Sequence, residues 1–208
     1  MGGIHDVDPA APVQPRGPVR RWFAGLGVSQ VRRLVIVVIL GVTALFGGLD
    51  TVDTTVTDFK PGEAFSDGEF TITIDRASLA SEVRAGSTLV APAKPGRRYL
   101  GIVATVRNDG TIPGFLRNEL DLRDQPDKEF RSAFRISDGS PISALGPGLT
   151  EQLAFLWELP ENAVEPGDSV TVRVWKKQYR ELLVTYGKAW LDSLTDYGQT
   201  VIPVKALS

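Results

Sequence analysis

The longest apolar run of the chain, residues 34–49 (LVIVVILGVTALFGGL), carries no charge and is bounded by Arg32 and Arg33 on one side and Asp50 on the other. As a helix these 16 residues reach about 24 Å, short of the roughly 30 Å of bilayer hydrocarbon. Arginines that snorkel toward headgroups and continuation through Thr51 and Val52 reduce the deficit. The pattern therefore predicts one transmembrane helix over 34–52, anchored by Arg32, Arg33, Leu34, Ile36, Ile39, Gly41, Leu45 and Phe46. Gly41, Gly47 and Gly48 lack side chains that would hold a second helix at a distance.

Beyond residue 65 the period changes to two. Phe70, Ile72 and Ile74 alternate with polar residues, as do Leu153, Phe155, Trp157 and Leu159, and again Val170, Val172 and Val174. Residues 99–107 are apolar on both faces and suit a central strand. Residues 119–123 and 130–136 read as a hairpin around Gln125-Pro126-Asp127-Lys128, with Leu120, Leu122, Phe130, Phe134 and Ile136 inward and Arg131 and Arg135 in water. Residues 83–96 have no period and read as a loop, and residues 53–64 as a threonine-rich tether. In the last stretch, residues 200–204 suggest an edge strand that tolerates Pro203. About seven short strands with regular turns predict an all-β, immunoglobulin-like antiparallel β-sandwich over 65–208, with residues 176–208 as a C-terminal extension packed on it or on a partner.

Ahead of the apolar run, residues 1–18 contain four prolines and scarcely any large apolar side chain, the composition of a disordered arm. In the basic juxtamembrane segment 19–33, Val19, Trp22, Phe23 and Leu26 share a helical face beside Arg20 and Arg21. An interfacial helix and a flexible basic linker both fit.

Charge orients the chain. Residues 1–33 hold five arginines against Asp6 and Asp8, whereas residues 50–208 hold 18 basic and 23 acidic side chains. Positive charge is retained on the cytoplasmic side, so the arm is expected inside and the domain outside, at a cell membrane. A cleaved signal peptide is the alternative, but no Ala-x-Ala pattern follows the run. With no cysteine there is neither a disulfide nor a lipid-anchor thiol, so the domain is held by its core. The abundance of Arg, Ala, Gly, Pro and Val fits a GC-rich bacterial genome, such as an actinobacterial one.

The only histidine, His5, lies in the arm, so no histidine-based catalysis or multi-histidine metal site is expected in the domain. Glu119, Asp121, Asp124 and Asp127 cluster along the sequence as a carboxylate pair would require, but surface charge beside a strand explains them better. Arg131, Arg135, Arg173, Lys176, Lys177 and Arg180 suggest a basic face toward anionic lipid or wall polymer, or a plain solvated sheet. Trp175, Tyr179 and Trp190 are the candidate interface residues. No catalytic residue, cofactor, metal or nucleic-acid partner is expected.

Several segments carry a resemblance in their order. Residues 99–106 run into Asn108-Asp109-Gly110; Leu120-Asp121-Leu122-Arg123-Asp124 and Leu145-Gly146-Pro147-Gly148 follow, and then a strand ends in Trp157-Glu158-Leu159-Pro160-Glu161. In this order the chain resembles the telokin-like, immunoglobulin-like extracellular domains of bacterial lipoproteins and membrane-anchored proteins grouped as domain of unknown function 4352. The resemblance implies an extracytoplasmic sandwich with no catalytic residues. The expected function is a non-catalytic, single-pass envelope protein, an accessory or binding subunit that contacts membrane lipid and a membrane complex such as a transporter, or an envelope ligand. The alternatives are a carboxylate enzyme acting on envelope glycans and a ligand or stress sensor.

Overall fold

Helix α1, Val28–Leu45, forms over the predicted apolar run. In the computed structural model, which describes residues 28–45, 54–182 and 187–207, it starts ahead of the expected Leu34, and Arg32 and Arg33 lie within it. Its uncharged part, residues 34–45, covers about 18 Å against the roughly 30 Å of hydrocarbon. Among the described residues no helix is long and apolar enough to cross a membrane. Arg32, Arg33, Leu34, Ile36, Ile39 and Gly41 are exposed. The Leu45 side chain, Phe46, Gly47, Gly48 and the arm lie outside the described residues.

The chain divides into two compact units, Met1–Val52 and Asp53–Ser208. The second consists of strands β1 Thr55–Asp58, β2 Ala64–Ser66, β3 Phe70–Ala80, β4 Val83–Ala85, β5 Thr88–Ala91, β6 Arg97–Asn108, β7 Gly114–Phe115, β8 Asp121–Leu122, β9 Glu129–Arg135, β10 Pro141–Ile142, β11 Ala144–Leu145, β12 Thr150–Pro160, β13 Ser169–Leu182 and β14 Gly187–Ala206. The main sheet runs β10-β9-β12-β6-β3-β14-β13-β8 and curls so that its two halves face each other. The alternating residues named from the sequence fill the space between them: Phe70, Ile72, Ile74, Leu153, Phe155, Trp157, Leu159, Val170, Val172 and Val174 are all buried in one core. The expected sandwich and its core faces are thus present.

The structure corrects five local readings. Residues 119–123 and 130–136 form no hairpin: β8 pairs with β13 and β9 with β12, and the connection between them crosses from one half of the sheet to the other. Asp124 and Asp127, both with left-handed φ, turn this crossing. A bulge in the β9–β12 ladder then shifts the inward set, so Phe130 packs on the core while Phe134 joins a separate cluster on the outer face and Ile136 is exposed. Residues 83–96 contain the β4–β5 hairpin.

The supposed tether is part of the fold. β1 pairs in parallel with β14, and Phe59 stacks on Phe65 at 4.9 Å. Nor is β14 an edge, since it pairs with β13, β1 and β3. Pro203 falls between the segment that pairs with β1, ending at Gln199, and the segment that pairs with β3, starting at Val204. The Val204 N–H donates to Asp168 on the β13 side, so the missing N–H of Pro203 points to the side where no ladder runs.

The Phe65 ring lies on the backbone of Gly198, where a Cβ would stand 2.5 Å from it. Gly198→Ala must displace this stacked pair and is expected to cost about 1–3 kcal/mol, read as a lower urea midpoint at unchanged slope.

Candidate functional site

In β13 the core alternation of Val170, Val172 and Val174 is interrupted by a bulge after Trp175, where the partner strand also loops out over residues 193–196. The slip turns Lys177 inward. Its ammonium reaches three carboxylates: it donates to Glu119, donates to Glu69 Oε2 at 3.0 Å, and lies 3.6 Å from Asp67 Oδ2. The same ammonium sits 4.5 Å from the centre of the Phe70 ring.

Local turn chemistry positions the acids. Asp67 Oδ1 accepts the N–H groups of Glu69 and Phe70 at 2.7 and 2.6 Å, closing the turn into β3. Its backbone carbonyl accepts from Lys177 N–H at 2.6 Å. Gly68, with φ +113°, has no room for a Cβ, because the Lys177 carbonyl oxygen would be 2.6 Å away. Asp67, Glu69 and Glu119 are all buried.

Burial pushes the Glu119 carboxyl well above its ordinary value, and the neighbouring Asp67 carboxyl adds to the rise. Burial raises Glu69 as well. For Lys177 burial acts downward, but the attraction of Glu119, Asp67 and Glu69 outweighs it and holds the ammonium above the usual lysine range. Asp67 Oδ2 and Glu119 Oε1 have no hydrogen-bond donor among the described residues. The raised Glu119 carboxyl is the group placed to supply that donor, to the Asp67 oxygen beside it. The cluster borders a 210 Å³ depression that Arg117, Trp190 and Asp192 also line. Among the described residues no group of acidic or histidine side chains is arranged to hold a metal.

Glu119 was grouped with Asp121, Asp124 and Asp127 in sequence, but space separates them. Glu119 is buried, Asp121 pairs with Lys128 at 2.7 Å, and Asp124 is in solvent. The basic face divides too. Arg131 pairs with Glu129 at 2.7 Å and approaches buried Glu158, Arg135 lies 3.6 Å from Glu151, and Lys177 is internal. The Arg173 guanidinium stacks 4.8 Å from the Trp175 ring and 4.7 Å from the Tyr197 ring.

The three candidate interface aromatics do not form one patch. Half-buried Trp175 packs edge-on to Tyr197 at 5.0 Å, before the bulge. Beyond it, Tyr179 and Trp190 face each other across the ladder, rings 5.3 Å apart. Trp190 is half-buried against Gly68 and Gly110, and Tyr179 is exposed. Trp190 and Lys177 together fasten the outer part of the β13–β14 hairpin to the turns around Asp67 and Glu119. Asp67 and Glu69 were not singled out from the sequence. Their one signal is Ser66-Asp67-Gly68, a turn placed directly before a strand.

Fold and site together define a β-sandwich whose C-terminal hairpin is fastened to the body by a buried lysine and three acids. No family model and no curated protein matches the chain. Among solved structures it is similar to an uncharacterized β-sandwich protein from Clostridium difficile, with 14% identity over 73% of this chain and 97% of that one, at a TM-score of 0.50. At that identity the likeness shows the β-sandwich fold alone.

Proposed function

We propose that this chain is a non-catalytic, single-pass protein of a bacterial envelope, an accessory or binding subunit that presents a telokin-like, immunoglobulin-like sandwich outside the membrane to a membrane complex or an envelope ligand. The observation that carries this reading is the order of parts: an arginine pair, an uncharged helical run, and a separate sandwich unit that begins at Asp53. The arginines favour a cytoplasmic N-terminus, and the uncharged residues after Leu45 extend the apolar length. Lys177 occupies the centre of the converging acids, which favours a fastening role for them over a free acid and base.

Membranes from cells expressing the full chain test the placement. The chain is expected to stay in the pellet after an alkaline carbonate wash, with the sandwich open to protease only from outside, and to bring a partner with it from mild detergent. Release by carbonate overturns the anchor, and recovery as a lone monomer in every detergent overturns the accessory role.

A further inference from the structure

The β4–β5 hairpin folds over the outer face of the half-sheet formed by β3, β6, β12 and β9. Its Ala85 abuts Gly139 in the turn after β9, where a Cβ on the glycine would collide with it. Beneath the hairpin, Ala91, Tyr99 and Leu156 form a second buried cluster with Val83 and Phe134 packed on it. Beside that cluster a cavity of about 300 Å³ opens between hairpin and sheet.

Small side chains keep it open. Its floor contains Gly101 and Val103 of β6 with Ala154 of β12. A Cβ on Gly101 would come no closer than 3.8 Å to any neighbour, so ordinary residues there would have filled the space. The lining is mainly apolar, and its charged residues are Arg76, Arg84 and Arg135, with no acid among them. Arg84 is pairing with Glu82 in solvent at 2.8 Å, and Arg135 reaches Glu151 at 3.6 Å and Ser140 Oγ at 3.2 Å. Arg76, exposed at the β3 bulge, has no ion pair among the described residues.

An apolar slot whose lining carries three arginines, Arg76 among them with no ion pair among the described residues, is complementary to an amphiphile with an anionic end. At roughly 30 Å³ for a small group in a liquid, the slot takes on the order of ten heavy atoms, one chain and not two. We propose that this cavity binds a single-chain fatty carboxylate. The chain lies on Gly101, Val103 and Ala154, and the carboxylate meets Arg76, with Arg84 and Arg135 beside it. This names a ligand class that the proposed function leaves open, and it does not depend on α1, so the membrane tests and this one fail separately.

Calorimetric titration of the delipidated full chain in amphipol, with decanoate, decanol and decyltrimethylammonium, tests it. Decanoate is expected to bind at one site, decanol about tenfold more weakly, and the cation not at all. Arg76→Gln, a solvent-facing change that leaves the fold intact, should weaken decanoate about tenfold and leave decanol unchanged. Ala154→Phe should abolish binding of both by filling the floor. Equal affinity for the three amphiphiles, no saturable decanoate binding, saturable binding of a diacyl lipid in its place, or undiminished binding to the Arg76→Gln variant would each overturn the proposal.

Discussion

Lys177→Met is expected to destabilise the sandwich by about 3–5 kcal/mol at neutral pH, because it leaves three buried acids without their cation. The methionine replaces the stem of the lysine and nothing of its charge, so the loss is electrostatic rather than a cavity. Chemical denaturation of the variant measures it, and a loss below about 1 kcal/mol would mean that water reaches the acids. The pH dependence has a definite sign. Glu119 and Glu69 both keep their protons to higher pH when folded than the ordinary 4.5. The native state then binds more protons than the unfolded one, and stability falls as pH rises from about 4.5 through the raised values. Lys177 acts in another window: its contribution is whole below the ordinary 10.5 and is lost above it. Above about pH 4.5 stability should therefore decline, and Glu119→Gln, whose amide donates to Asp67 and accepts from Lys177, should flatten most of the decline. An equally steep slope in that variant would place the retained proton elsewhere.

Asn108→Ala is the second large effect, about 3 kcal/mol. The Asn108 side chain is fully buried. Its Nδ2 donates to the carbonyls of Ile112 and Leu145 at 2.9 and 2.7 Å, and its Oδ1 accepts from the Gly110 N–H at 2.8 Å. One side chain thus ties the end of β6 to the following turn and to β11. Alanine takes the donor from two carbonyls and leaves the Gly110 N–H only its longer bond, 3.2 Å, to the Glu69 carbonyl, each unmade bond costing about 1–3 kcal/mol in part recovered by relaxation. Thermal melting of the variant checks it. Asn108→Asp should be at least as damaging at neutral pH, since it keeps the acceptor but sets a charge against two carbonyl oxygens.

The sequence pattern was legible wherever the alternation ran unbroken. Leu153, Phe155, Trp157 and Leu159 could be placed inward because β12 carries no extra residue along its own face. It failed at bulges, where one inserted residue reverses which side is in. Lys177 reads as the middle of a solvated basic run, and only the slip after Trp175 makes it internal. Phe134 reads as core for the same reason. Of the fastening site, Glu119 was visible but grouped with the wrong neighbours, because proximity along the chain says nothing about which half of a curled sheet a residue joins. Asn108 was visible as a turn residue, but its two long-range acceptors were not. The membrane run was legible as a helix, and its span rests on the experiments proposed above.

The pairing of β14 has a consequence for timing. Residue 55 is matched with residue 196, and residues 77–79 with residues 204–206. On a ribosome every partner of β14 emerges before it, so β1, β3 and β13 must each wait with an open edge until almost the whole domain is made. Contacts so distant in sequence fold slowly, on the order of milliseconds to seconds for sandwiches. The domain therefore acquires its stability late and all at once, and a chain arrested or cut before residue 196 would present unpaired strands to its surroundings instead of a nearly finished fold.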